Sequence, residues 1–128
     1  IDETYNACPT SMRSAIKSLE KYKGRRKILV LGDMLDLGQD AAYYHENLSA
    51  TVDKFGIDAV FACGSLSKLL FNNLRDCKKG AWCENSTQLA EKVLNAIQLG
   101  DCILVKGSNS MKMDRIVHVI KELTVDVL

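Results

Sequence analysis

Lys27-Ile28-Leu29-Val30-Leu31-Gly32-Asp33 is the stretch on which the fold turns. Its apolar run is too short for an independent helix, has no polar alternation and stops at a glycine. It therefore reads as a strand buried on both faces. Two further runs repeat the pattern: Asp58 to Cys63 ends at Gly64, and Cys102 to Lys106 ends at Gly107. Gly80-Ala81-Trp82-Cys83 is a weaker fourth strand, nearer an edge, and Ile1 to Tyr5 reads as the tail of another.

Between these runs the apolar period changes to that of a helix. Met12, Ala15, Ile16, Leu19 and Tyr22 share one face; Tyr44, Leu48, Val52 and Phe55 share a second. Leu66, Leu69, Leu70 and Leu74 make a third, Leu89, Ala90, Val93, Leu94 and Ile97 a fourth, and Met113, Ile116, Val117, Ile120 and Leu123 a fifth. Pro9 suits the first turn of the first helix, and Asn85 or Ser86 suits the cap of the fourth. Alternating strands and helices predict an α/β domain, a three-layer α/β/α Rossmann-like arrangement with a mostly parallel sheet and right-handed crossovers. The basic stretch Lys21, Lys23, Arg25, Arg26 and Lys27 reads as a solvated loop complementing a helix C-terminus, with an anion site as the alternative.

The chain has 128 residues, a length that suits one domain over 1–128. Hydrophobic residues at 47% and charged residues at 26% are an ordinary globular balance that disfavours disorder. Lys plus Arg is 17 against 16 Asp plus Glu, so charge makes no case for nucleic acid or an anionic membrane. No apolar run approaches a membrane span and no signal peptide is visible. The five cysteines form no C-x-x-C pair and no zinc spacing with His45 or His118, and several lie inside apolar runs. They read as reduced thiols of a cytoplasmic protein, without a nucleophile among them. The chain opens on Ile1 with motif-like residues at once, which reads as a piece of a longer protein.

In open α/β sheets ligands bind beyond the C-terminal ends of the strands. Here those ends are 2–9, 32–38, 64–65 and 106–110, where polar residues and glycines concentrate. Neither G-x-x-x-x-G-K-[ST] nor G-x-G-x-x-G is present, so the domain is not expected to bind a nucleotide alone by either route. Residue type leaves each candidate with two readings. Asn6 is a turn residue or a ligand contact. Asp33 is an Asx-turn or cap, or a carboxylate for a cation. Lys106 is a surface lysine or an anion contact, with Gly107 permitting close backbone approach. His45 is a structural helix histidine or a substrate contact, and Cys8 is the thiol expected to be accessible.

Four stretches together resemble the C-terminal domain of Mur ligases. They are Asp2-Glu3-Thr4-Tyr5-Asn6-Ala7-Cys8-Pro9, Leu29 to Gly38, His45-Glu46, and Gly100 to Ser108 followed by Met111 to Val117. The likeness runs from residue 1 to about residue 123. Departures from the usual pattern are Cys8 for Asn, Asp36 and Asp114 for Glu, and Asn109-Ser110 where an Arg-Gly pair is common.

The resemblance implies the closing domain of a three-domain ligase that adds D-alanyl-D-alanine to UDP-MurNAc-tripeptide through an acyl-phosphate. ATP and Mg2+ would be held mainly by a central domain absent from this sequence, as would the N-terminal domain that binds the UDP-sugar peptide. It further implies that Asp2, Glu3, Tyr5 and Asn6 face the nucleotide, and that Asp33, His45, Lys106, Gly107 and Ser108 face the substrate. No catalytic residue and no metal ligand is expected in this piece, which alone is expected to be inactive. Another Mur ligase, a stand-alone small-molecule-binding or receiver-like domain, and a pure interaction module are the rival readings. A receiver would want an Asp where Cys63-Gly64 ends the middle strand.

Overall fold

A computed structural model describes residues 8–108, 111–120 and 126–127. Cys8 is extended and Pro9 occupies the first helical turn, so α1 runs over Pro9–Ser18 and tightens into a 3-10 turn at Leu19–Lys21. There follow β1 (Lys27–Leu31), α2 (Ala41–Lys54), β2 (Ala59–Cys63), α3 (Ser67–Asn73) and β3 (Lys79–Cys83). The chain continues through α4 (Ser86–Ala96), β4 (Cys102–Lys106), α5 (Asp114–Ile120) and β5 (Asp126–Val127). The strands pair in parallel in the order β3-β2-β1-β4-β5.

The central place of β1 explains its composition. Val30 lies beside Phe61 of β2 on one side and Val105 of β4 on the other. Alternate side chains feed two cores. Leu29 and Leu31 pack with Met12 and Ile16 of α1, Leu48 and Val52 of α2, and Leu70 of α3. Ile28 and Val30 pack with Leu89 and Val93 of α4 and with Ile116 and Ile120 of α5. A strand covered on both faces has no solvent side on which to place a polar residue. The expected three-layer sandwich is therefore present, with α1, α2 and α3 on one face and α4 and α5 on the other.

Local signals act as their chemistry suggests. Asn85 accepts the Gln88 N–H at 3.0 Å and caps α4. β3 lies at the edge of the sheet, and only Cys83 among its residues is buried. β5 was not anticipated, because two residues carry no readable period. Ile1 to Tyr5 and Leu123 lie outside the described residues.

The basic stretch has a more specific job than a solvated loop. Arg26 donates from Nε and Nη2 to the Asp101 carboxylate at 3.0 and 2.6 Å, and from Nη2 to the Ala96 carbonyl at 2.8 Å. Arg25 donates to the carbonyls of Gly100 and Asp101. These two side chains tie the entry of β1 to the end of α4 and the entry of β4. Asp101 is buried and also accepts the Gln98 N–H at 2.7 Å. Asp101→Asn replaces a charge-assisted acceptor by an amide that cannot satisfy all three donors. It should cost about 1–3 kcal/mol of unfolding free energy, seen as a lower urea midpoint with an unchanged slope.

Candidate functional site

The connections place a topological switch point between β1 and β4. From β1 the chain crosses to β2 through α2 on one face, and from β4 it crosses to β5 through α5 on the opposite face. The loops leaving β1 and β4 therefore diverge, and ligands of open α/β sheets bind at such a switch. The residues there are Gly32-Asp33-Met34-Leu35 and Lys106-Gly107-Ser108.

These two loops are bonded to each other. Gly32 N–H donates to the Lys106 carbonyl at 2.8 Å, and Ser108 N–H donates to the Asp33 carbonyl at 3.0 Å. Leu35 N–H donates to Ser108 Oγ at 2.7 Å. Such a close approach needs two glycines. A Cβ on Gly107 would lie 3.1 Å from Gly32 Cα and 2.7 Å from Met113 Cγ, and one on Gly32 would meet Met113 Sδ at 2.8 Å. Met113, just ahead of α5, thus fills the floor of the crevice, with half-buried Met111 beside it.

Asp33 holds a third loop. It is buried, and its oxygens accept the N–H groups of Ser67 at 2.7 Å and Leu66 at 3.2 Å. The carboxylate thus caps the start of α3 from another strand, where a negative charge complements the exposed donors. Gly64 makes room for it: a Cβ there would fall 2.4 Å from Asp33 Oδ1, and the backbone φ is +99°. The hydroxyl of buried Ser67 has no hydrogen-bond partner among the described residues.

His45 is fully buried in α2. Its Nε2 accepts the Met34 N–H at 2.9 Å, and its Nδ1 lies 2.7 Å from the Ala41 carbonyl. Lys106 is also buried, on the α1 side of β4, where it lines a groove with Ser11, Ser14 and Tyr22. Asp36 has φ +62°, a conformation Asp tolerates better than Glu does. That is a physical reason for the shorter acid at this position.

The structure therefore joins Asp33, Gly107 and Ser108 in the bonded loops after β1 and β4, with His45 reaching the first loop from α2 and Lys106 ending β4 with its side chain in the groove against α1. Asp2, Glu3, Tyr5, Asn6, Asn109 and Ser110 lie outside the described residues. Gly64, one of the strand ends at which ligands were expected, joins this arrangement by making room for Asp33. Met113 joins it although nothing local in the sequence signalled that part.

The cysteines separate by environment. Cys63 and Cys83 are buried and their thiols are pushed up, Cys63 to about 12, by loss of solvent. Cys8 is exposed, and its thiol is held below the ordinary value, first by its hydrogen bond with the Ser11 hydroxyl and also by the charge of Lys106. Cys77 is exposed as well, so a maleimide at about pH 7.5 should modify Cys8 and Cys77 while leaving Cys63 and Cys83 untouched until the protein unfolds. Ser11→Ala should move the Cys8 rate profile to higher pH, because less thiolate is then present at a given pH.

A parallel sheet in this order, with its crevice where the crossovers diverge, defines a doubly wound α/β domain. The chain belongs to the Mur ligase family. The family pattern described as "Mur ligase, glutamate ligase domain" matches residues 1–109. The UDP-N-acetylmuramoyl-tripeptide–D-alanyl-D-alanine ligase of Buchnera aphidicola subsp. Acyrthosiphon pisum is 40% identical over 128 residues, covering 95% of this chain and 27% of that protein. The Bacillus subtilis ligase of the same name is 36% identical over 121 residues, covering 91% of this chain and 26% of its own length. A crystal structure of MurF from Acinetobacter baumannii superposes with a TM-score of 0.81 at 28% identity, covering 96% of this chain and 28% of that one. MurF from Thermotoga maritima in complex with ADP gives a TM-score of 0.78 at 22% identity over 95% of this chain and 27% of that one, a likeness of fold alone. The chain spans about a quarter of the length of the curated relatives it matches.

Removing the space that Asp33 occupies should disturb the whole cluster. Gly64→Ala combines a strained φ with a clash against an anchored carboxylate. It should destabilise by about 2–4 kcal/mol in thermal or urea unfolding.

Proposed function

We propose that this chain is the C-terminal, closing domain of an ATP-dependent ligase that joins D-alanyl-D-alanine to UDP-MurNAc-tripeptide in peptidoglycan precursor synthesis. The observation that carries the reading is the bonded crevice at the β1/β4 switch in a chain of this family. The tripeptide carboxylate takes the terminal phosphoryl group of ATP, releasing ADP and leaving an acyl-phosphate. The dipeptide amine then attacks the acyl carbon, phosphate departs, and the amine loses a proton as the amide forms. Such chemistry depends on positioning and on exclusion of water from the acyl-phosphate, and a closing domain supplies both.

In this reading Lys106 supplies positive charge to the dipeptide carboxylate, and the backbone of Gly107 lets the peptide approach closely. Asp33, His45 and Ser108 are the further residues on the substrate side. Asp2, Glu3, Tyr5 and Asn6 face the nucleotide from the segment before α1. Among the described residues no group of three His, Cys, Asp or Glu is placed to hold a metal ion. ATP and Mg2+ would in this reading be held mainly by a central domain of the full-length enzyme, as the family resemblance implies. No helix among the described residues is long and apolar enough to cross a membrane. Free cysteines at 8, 63, 77, 83 and 102 suit the reducing cytoplasm, where we place the enzyme.

The order β3-β2-β1-β4-β5 disfavours the receiver-like alternative, whose sheet runs 2-1-3-4-5. The test uses the full-length enzyme with ATP, UDP-MurNAc-tripeptide and D-alanyl-D-alanine. Lys106→Met should raise the dipeptide KM by about tenfold or more, the worth of a charge-assisted contact. The KM for the UDP-peptide should stay within about twofold. An unchanged dipeptide KM would remove Lys106 from the site, and failure of the parent enzyme to form the UDP-pentapeptide would overturn the ligase reading.

A further inference from the structure

The segment leaving β1 is held in place from outside. Two successive N–H groups, those of Met34 and Leu35, donate to acceptors on two different elements: His45 Nε2 in α2 and Ser108 Oγ after β4. Anchoring consecutive amides in this way fixes both peptide planes, and with them the direction in which the loop leaves the crevice. His45 can accept at Nε2 only if the ring proton sits on Nδ1. The Ala41 carbonyl, 2.7 Å from Nδ1, selects that tautomer. The ring is fully buried, so it has no surface with which to touch a ligand. Its influence on the crevice passes through the Met34 amide.

We propose that His45 is a positioning residue of the ligase reaction. Together with Ser108 it clamps the Gly32–Leu35 segment against Lys106–Ser108 and so sets the seat of the incoming dipeptide. The proposal rests on the reading of the crevice as the dipeptide site, and it reassigns His45 from a substrate contact to a support acting through the backbone. The apolar alternative, a histidine retained only for packing, leaves the Met34 hydrogen bond and the selected tautomer without purpose.

The experiment is steady-state kinetics of the full-length enzyme with His45→Leu, His45→Gln, Ser108→Ala and the His45→Leu/Ser108→Ala pair. Leucine keeps the buried volume and removes the acceptor, whereas the glutamine carbonyl restores an acceptor for the Met34 N–H. His45→Leu should lower kcat/KM for D-alanyl-D-alanine about 10- to 100-fold, the scale of a misplaced reactant. The KM values for ATP and UDP-MurNAc-tripeptide should move by less than about twofold. His45→Gln should recover most of the loss. Ser108→Ala should cost less in the His45→Leu background than alone, because both side chains hold one segment.

Unchanged dipeptide kinetics in a folded His45→Leu enzyme would overturn the proposal. So would losses shared equally among the three substrates, or the absence of rescue by glutamine. If His45→Leu does not fold, Ser108→Ala and His45→Gln decide. A dipeptide-specific loss in the first with near-parent behaviour in the second supports the clamp, and any other pattern rejects it. A parent enzyme unable to ligate the dipeptide would sink both readings, whereas a competent parent with an indifferent variant sinks only this one.

Discussion

Two backbones meet at the centre of this domain without side chains between them. Gly32 follows β1, Gly107 follows β4, and the Cα of one lies where a Cβ of the other would press. Everything near the crevice depends on that approach. It brings the Lys106 carbonyl to the Gly32 amide and the Asp33 carbonyl to the Ser108 amide. It also leaves a floor that only a flexible, unbranched side chain can fill, and Met113 is there. Because the crossovers on either side run to opposite faces of the sheet, the loops that leave the joined strand ends diverge.

Asp33 extends this junction to the next strand. A carboxylate among apolar neighbours is costly unless its lone pairs are taken. Here they are taken by the unsatisfied amides at the start of α3. The same residue therefore meets two needs, the burial of its charge and the capping of a seven-residue helix that has no side-chain cap of its own. In consequence the loops after β1, β2 and β4 are joined by hydrogen bonds.

Much of the architecture was legible along the chain. The runs ending at Gly32, Gly64 and Gly107 are continuous because both faces of β1, β2 and β4 are covered, and burial on both sides removes any polar alternation. The helical faces were readable for the complementary reason that each helix buries only one side. The edge strand β3 and the two-residue β5 were faint or silent, since half-buried and very short strands impose little pattern. At the site, residue type left Asp33, His45 and Lys106 with two readings each, and it was the family resemblance that set them, with Gly107 and Ser108, among the candidates.

The order of residues by itself determined the layers, the strand ends at which chemistry concentrates, and the family likeness. These follow from burial and local backbone preference, which act over a few residues. Only the tertiary structure decided that Asp33 caps a helix more than thirty positions away, that His45 holds the Met34 amide, and that Arg25 and Arg26 clasp the turn before β4. Each of these depends on which acceptor lies within about 3 Å of which donor. That distance is set by strand order and crossover face, and no stretch of the chain carries either one alone.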